Sequence, residues 1–266
     1  MSKELNLVYI LGAGHCGSTL LNLLLNGHSQ IIGLSEIKCI SNFVGINKSV
    51  DNPLNDEFWR KIKEYYETNF SKNFESLDLS IPSSKEQQEW LNTNLELFKS
   101  ILNSSSATIL VDASKDWKRL YLLKKSGLFN IKVIHLVRDG RAILNSYNRK
   151  YNSFKKGFRS WFLLQLKAIF IQNNFSKDNW LQIHYEELAT NPEITLENIC
   201  NFLGLEFEYD MLNYKKHPYV GIGGNRMQKQ TTESIELDEY WRTELSYWNS
   251  IKFNLLGGWL NKYYGY

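Results

Sequence analysis

Two short stretches, far apart in the chain, combine residue types suited to holding an anion. The first is Gly12-Ala13-Gly14-His15-Cys16-Gly17-Ser18-Thr19, between an apolar run and a leucine-rich segment. Glycines let backbone amides turn toward an anion, and a following helix adds unpaired N–H groups and partial positive charge at its N-terminus. Phosphate is the natural guest of such a loop. The Walker pattern, however, needs a lysine before its final Ser/Thr, and Ser18 stands there. The usual cation for β- and γ-phosphates is missing, which disfavours a kinase or nucleotide hydrolase. The second stretch is VRDGRAILNS, residues 137–146, where Arg138 ends a hydrophobic run and Ser146 follows about two helical turns later. A planar guanidinium and a helix hydroxyl can grip a second phosphate.

These residues need a scaffold, and the pattern around them predicts one. Short apolar, β-branched runs at Leu5–Leu11, 107–111, 132–137 and Trp180–His184 are each followed by a turn and a helix-compatible segment. That alternation predicts a parallel sheet wrapped by helices, a single three-layer α/β domain covering residues 1–266. Chemistry in such folds gathers at the C-terminal ends of the strands. Helices are expected at Ser18–Asn26, 141–150 and 151–176. Helices are also expected through the polar, Trp- and Tyr-dotted stretch 52–104, with breaks at Pro53 and at 81–84. A helical segment at about 41–105 either covers an acceptor pocket or only packs on the sheet. Trp59, Tyr65, Tyr66 and Trp90 either line that pocket or pack helices.

The bulk properties exclude more than they assign. A net charge of +3 with no clustered basic stripe argues against a nucleic-acid binder. Cys16, Cys39 and Cys200 are odd in number and widely spaced, fitting neither a disulfide framework nor a zinc site, so a reducing, cytoplasmic setting is expected. Gly12, Gly14, His15 and Gly17 interrupt the first apolar run before it resembles a signal peptide. No stretch reaches the roughly 20 apolar residues of a membrane span.

Taken together, the motifs resemble the sulfotransferase superfamily that uses 3′-phosphoadenosine 5′-phosphosulfate (PAPS), especially its bacterial branch and the related tyrosylprotein and carbohydrate sulfotransferases. The resemblance spans most of the chain and implies a P-loop-like fold. It implies that the loop, with Gly14, His15, Cys16, Gly17, Ser18 and Thr19, holds the 5′-phosphosulfate, although His15 stands where relatives often have Arg or Lys. Arg138 and Ser146 then match the pair that binds the 3′-phosphate. Lys115, in Asp112-Ala113-Ser114-Lys115-Asp116, falls where relatives place a lysine near the transferring group. Tyr185, in the stretch His184-Tyr185-Glu186-Glu187-Leu188, matches an adenine contact. Asn225 and Arg226 lie in a late loop, 217–228, like the one that closes over the nucleotide.

Glu36 matches the carboxylate that accepts the acceptor's proton, with His15 as the alternative base or a loop-orienting residue. Cys16 reads more simply as a loop-packing thiol. The implied reaction is metal-independent sulfuryl transfer from PAPS to a hydroxyl of a small molecule, carbohydrate or peptide, leaving 3′-phosphoadenosine 5′-phosphate (PAP). The competing readings are a P-loop kinase or nucleotide hydrolase and a catalytically inactive nucleotide-binding module.

Overall fold

The computed structural model describes residues 4–45, 52–223 and 235–266. Five strands, β1 (Leu5–Leu11), β2 (Ile31–Gly33), β3 (Ile109–Asp112), β4 (Phe129–Val137) and β5 (Trp180–His184), form a parallel sheet in the order β2-β3-β1-β4-β5. Leu7, Val8 and Tyr9 face Leu110, Val111 and Asp112 in register, and Val133–Val137 run beside Trp180–His184. The strands are rich in Val, Ile and Leu and largely buried, as parallel strands covered on both faces must be. The α/β class read from the sequence is the class observed.

The helices are α1 (Ser18–Asn26), α2 (Glu57–Phe70), α3 (Gln87–Asn103), α4 (Trp117–Ser126), α5 (Gly140–Tyr151), α6 (Phe154–Gln172), α7 (Tyr185–Thr190), α8 (Pro192–Leu203), α9 (Trp241–Glu244) and α10 (Tyr247–Tyr263). Local chemistry fixes many of their ends. Asp56, Asp116, Asp139, Ser153 and Ser246 each accept an amide N–H of the first turn with a side-chain oxygen, while Pro192 opens α8 and left-handed Gly204 closes it. The expected helix over 151–176 is shorter, because left-handed Asn152 and the Ser153 cap separate α5 from α6. β4 begins three residues earlier than the apolar run suggests: exposed Asn130 alternates with buried Phe129 and Ile131 and hides the strand in a simple hydropathy reading. β2 spans three residues and has no signal beyond a short apolar run.

The described chain divides into two compact units. The first lies within residues 1–9, 19–132 and 207–231. In it α2 packs on α3, and Trp59, Tyr66, Leu97, Phe98 and Ile101 are buried. Trp90 is buried as well, so of the four aromatics weighed for a pocket only Tyr65 stays half-exposed.

The second unit lies within residues 10–18, 133–206 and 232–266, and there α5, α6 and α10 pack together. Gly140 lets α5 approach closely: a Cβ there would sit 2.5 Å from Phe253 and 2.7 Å from Trp161. Its amide donates to Asn261 Oδ1 at 2.9 Å. His135 of β4 is buried, bonded through Nε2 to Gln165 Oε1 at 2.9 Å, with the rings of Trp180 and Tyr264 edge-on to it.

Burial drives the His135 imidazole down to about 4, against the opposing pull of the Gln165 bond. An unfolded histidine titrates near 6.5, so between these values the unfolded chain binds the proton and the folded chain does not. The contribution to stability is therefore complete above about pH 6.5 and is lost as pH falls toward 4, with a limiting slope of about 1.4 kcal/mol per pH unit. Urea unfolding across pH 4.5–7 is expected to show a shallower acid decline for His135→Gln than for the unmodified chain. Equal slopes would remove His135 from the acid response.

Candidate functional site

The sequence-derived candidates fall into two clusters, one in each unit. In the second unit the loop after β1 turns sharply: His15 and Gly17 both have positive φ, 65° and 95°, and Cys16 N donates to Ala13 O at 3.2 Å. At Gly17 the left-handed backbone coincides with a close approach. An added Cβ would lie 2.3 Å from Tyr185 Cδ2, so only glycine fits between loop and ring. Cys16 is fully buried and packs within the loop, where its Sγ would stand 2.6 Å from a Cβ at Gly12. Ser18, also buried, begins α1, with Thr19 half-buried beside it.

Arg138 follows directly on β4 and is 5% exposed. Its Nη1 donates to the His15 carbonyl at 2.8 Å and its Nη2 to the Asp238 carbonyl at 2.9 Å, with the Asp238 carboxylate 3.0 Å away. The guanidinium carbon lies 4.2 Å from the centre of the Tyr185 ring, a cation–π stack. Tyr185 opens α7 immediately after β5, and its hydroxyl accepts the Asp238 amide at 3.4 Å. Burial raises the Tyr185 phenol above its ordinary value, while Arg138 pulls it the other way.

One donor of the guanidinium, Nε, is buried and has no hydrogen-bond partner among the described residues. Such an unspent charged donor suits an arriving anion. The loop and Arg138 are thus joined directly, which the sequence did not reveal. Ser146 sits farther along α5, half-buried. The His15 ring lies edge-on to Tyr147 and Tyr151, at 4.9 and 5.9 Å between centroids.

In the first unit Glu36 and Lys115 meet: Lys115 Nζ lies 2.6 Å from Glu36 Oε1, both groups partly exposed. Each stands at a sharp bend. Ser35, just before Glu36, has φ 55°, and Lys115 has φ 58°. Positive φ in non-glycine residues persists only where surrounding bonds over-determine it, and here they do. Ser35 N donates to Asn22 Oδ1 at 3.1 Å, Ala113 N to Ser35 O at 2.8 Å, and Glu36 N to Ile222 O at 2.8 Å.

Ile222 N in turn donates to Leu34 O at 3.0 Å, and Trp59 Nε1 holds the Val220 carbonyl at 2.8 Å. The opening of the late loop is therefore pinned along the backbone that presents Glu36. Asn225 and Arg226 lie outside the described residues. Asp238, Asn22 and Ile222 were missed by sequence reasoning, because each acts only through the fold.

The turn carrying Lys115 rests on a buried ion pair. Asp112 Oδ2 meets Arg119 Nε at 2.8 Å, both side chains being fully buried, and Arg119 Nη2 donates to Asn94 Oδ1 at 2.6 Å. The other Asp112 oxygen accepts Ser114 N at 2.8 Å, and Tyr9 bridges the Asp116 amide and carbonyl through its hydroxyl. Removing one partner of a buried pair strands the other charge. Arg119→Met is therefore expected to cost about 3–5 kcal/mol in denaturant unfolding. A loss below about 1 kcal/mol would mean that Asp112 finds another partner.

Among the described residues no group of three His, Cys, Asp or Glu side chains is suited to holding a metal ion.

Residues 8–209 match the family described as "Sulfotransferase family". Carbohydrate sulfotransferase 1 of Mus musculus is 28% identical over 141 residues, covering 44% of this chain and 34% of that protein. The matched region thus spans about a third of that curated relative's length. The sulfotransferase domain of the Synechococcus PCC 7002 olefin synthase superposes with a TM-score of 0.65 at 22% identity, covering 99% of this chain and 96% of that one. A mouse sulfotransferase complexed with PAP gives a TM-score of 0.53 at 13% identity, covering 94% and 82%. At these identities the solved structures speak for the fold.

Proposed function

The chain belongs to the sulfotransferase family, and on that premise we propose that it moves a sulfuryl group from PAPS to a hydroxyl of an acceptor. The observation that carries the reading is the buried Arg138, held against the phosphate-type loop and backed by Tyr185, with its Nε unspent. The residues proposed to hold the nucleotide are Gly14–Thr19 of the loop, Arg138 and Ser146 for the 3′-phosphate, and Tyr185 for adenine. Asn225 and Arg226 belong to the proposal through the resemblance alone. Tyr185 has a second role that the geometry supports: it stacks under Arg138 and fixes where the guanidinium points.

PAPS supplies the sulfuryl group, and PAP is the leaving product. The acceptor oxygen bonds to sulfur as the bond to the bridging phosphate oxygen breaks, and that electron pair leaves on PAP. Glu36 takes the acceptor's proton. Lys115, held 2.6 Å from Glu36 by their ion pair, and His15 donate to the charge that develops on the oxygens, as protein groups do in oxyanion-type sites. Because these donors are protein groups, transfer is expected to survive EDTA. The segment at about 41–105 is proposed to cover the acceptor. Supporting this, α2 is tied through Trp59 to the backbone that presents Glu36. A carbohydrate, a small molecule or a peptide can supply the hydroxyl.

Titration calorimetry tests the nucleotide. PAP is expected to bind more tightly than ATP with magnesium, and Arg138→Ala to weaken PAP by about 1.5–3 kcal/mol, the range for a charge-assisted hydrogen bond. Tighter binding of ATP with magnesium would replace this reading with a kinase or hydrolase.

The base is tested separately, with PAPS turnover screened against a library of hydroxyl compounds. Glu36→Gln keeps size and hydrogen bonding but cannot take up the proton. It is expected to lower turnover about 100-fold or more while leaving PAP affinity nearly unchanged. Unchanged turnover with chemistry rate-limiting would pass the role to His15, and lost PAP affinity would make Glu36 structural.

A further inference from the structure

The C-terminal helix α10 is apolar on its buried side and again on its exposed side. Phe253, Gly257 and Leu260 are buried. At about 100° per residue, Trp248, Lys252, Leu255, Leu256, Trp259 and Tyr263 fall together within an arc of about 100° on another side of the helix. This stripe is solvent-facing: Trp248 is 70% exposed, Leu255 78% and Trp259 56%. It continues onto α6 of the same unit, where Phe162 meets Trp259 edge-on at 6.0 Å and Leu163 and Phe170 are also exposed. Single exposed apolar residues are ordinary, but a contiguous band of Trp, Leu and Tyr marks a surface with a partner.

Charge identifies that partner. α6 and α10 carry Lys155, Lys156, Arg159, Lys167, Lys252 and Lys262, all exposed, and contain no Asp or Glu. The whole chain has 31 basic and 28 acidic side chains, so the remainder holds 25 basic against 28 acidic. The chain's positive charge is thus concentrated beside its most exposed apolar band. Lysines around Trp, Tyr and Leu form the pattern of a surface that sinks its apolar side chains into the headgroup boundary of an anionic bilayer. Trp and Tyr suit that boundary, having an apolar body and a polar tip. A second copy of the same face fits poorly, because a two-fold contact would set the two sets of cations against each other without acids. No helix of the described residues is long and apolar enough to cross a membrane.

We infer that the face formed by α10 and α6 docks the protein onto an anionic lipid surface. Sedimentation with vesicles tests this without reference to sulfuryl transfer. The protein is expected to pellet with phosphatidylcholine vesicles containing phosphatidylglycerol, to stay in solution with pure phosphatidylcholine, and to be released as salt rises. Lys252→Gln is expected to weaken binding about fivefold. Trp248→Ser combined with Leu255→Ser is expected to weaken it at least about tenfold, with the urea midpoint unchanged because both side chains are exposed. Failure to pellet with anionic vesicles, or equal pelleting of the double variant, overturns the inference. So does a dimer in analytical ultracentrifugation that the double variant dissociates, which would assign the face to self-association.

Discussion

A guanidinium withdrawn from water must be given carbonyls, carboxylates or a π face, since leaving it bare costs several kcal/mol. Arg138 imposes that requirement on the second unit, and much of the local structure meets it. The loop after β1 turns through two positive-φ residues and so offers the His15 carbonyl. Gly17 has no side chain where the Tyr185 ring must lie, and that ring supplies the face under the cation. Asp238 contributes both a carbonyl and a carboxylate. Three segments far apart in sequence are fixed by one charge, and the Nε that remains is the donor the proposed function assigns to an anion.

The first unit solves a different problem by similar means. Glu36 and Lys115 are partly exposed, so their ion pair alone is worth little as a stabilising contact. What holds them is the backbone around them. Asn22 orders the amide of Ser35, Ile222 the amide of Glu36, and the buried Asp112–Arg119 pair the turn before Lys115. The strain of two left-handed non-glycine residues is offset by these bonds, which lets two long side chains meet at 2.6 Å without being buried in the core.

The parts of this arrangement that were legible in the sequence are those written locally. α1 appears at Ser18–Asn26 because leucines repeat there after a glycine loop, and β5 at Trp180–His184 because an apolar run meets a turn. Arg138 was singled out by its place at the end of an apolar run, and Glu36 only through the family resemblance. Asp238 was not, because an aspartate in a polar stretch looks like any solvated acid until the fold lays it against Arg138. The same holds for Asn22, whose place within a leucine-rich helix gives no hint that it caps a strand end. β2, three residues long, acquires its identity from pairing with β3 rather than from its own propensity.

Aromatic residues make up 14% of the chain, and their placement follows from what each ring must do besides fill space. Tyr9 joins the Asp116 amide and carbonyl through its hydroxyl and Trp59 gives its indole N–H to the Val220 carbonyl, while Tyr185 gives its face to a cation. Trp161 and Phe253 fill the contact between α5, α6 and α10, where Gly140 leaves room for them. The rings on the outer side of α10 have no such duty. Trp248 and Tyr247 touch each other in the open, and among the described residues the one ring that Trp259 meets is Phe162. Tyr9, Trp59 and Tyr185 are each tied to a particular polar or charged group, whereas the outer rings of α10 stand at the surface beside lysines, the placement that the inferred contact with an anionic lipid surface uses.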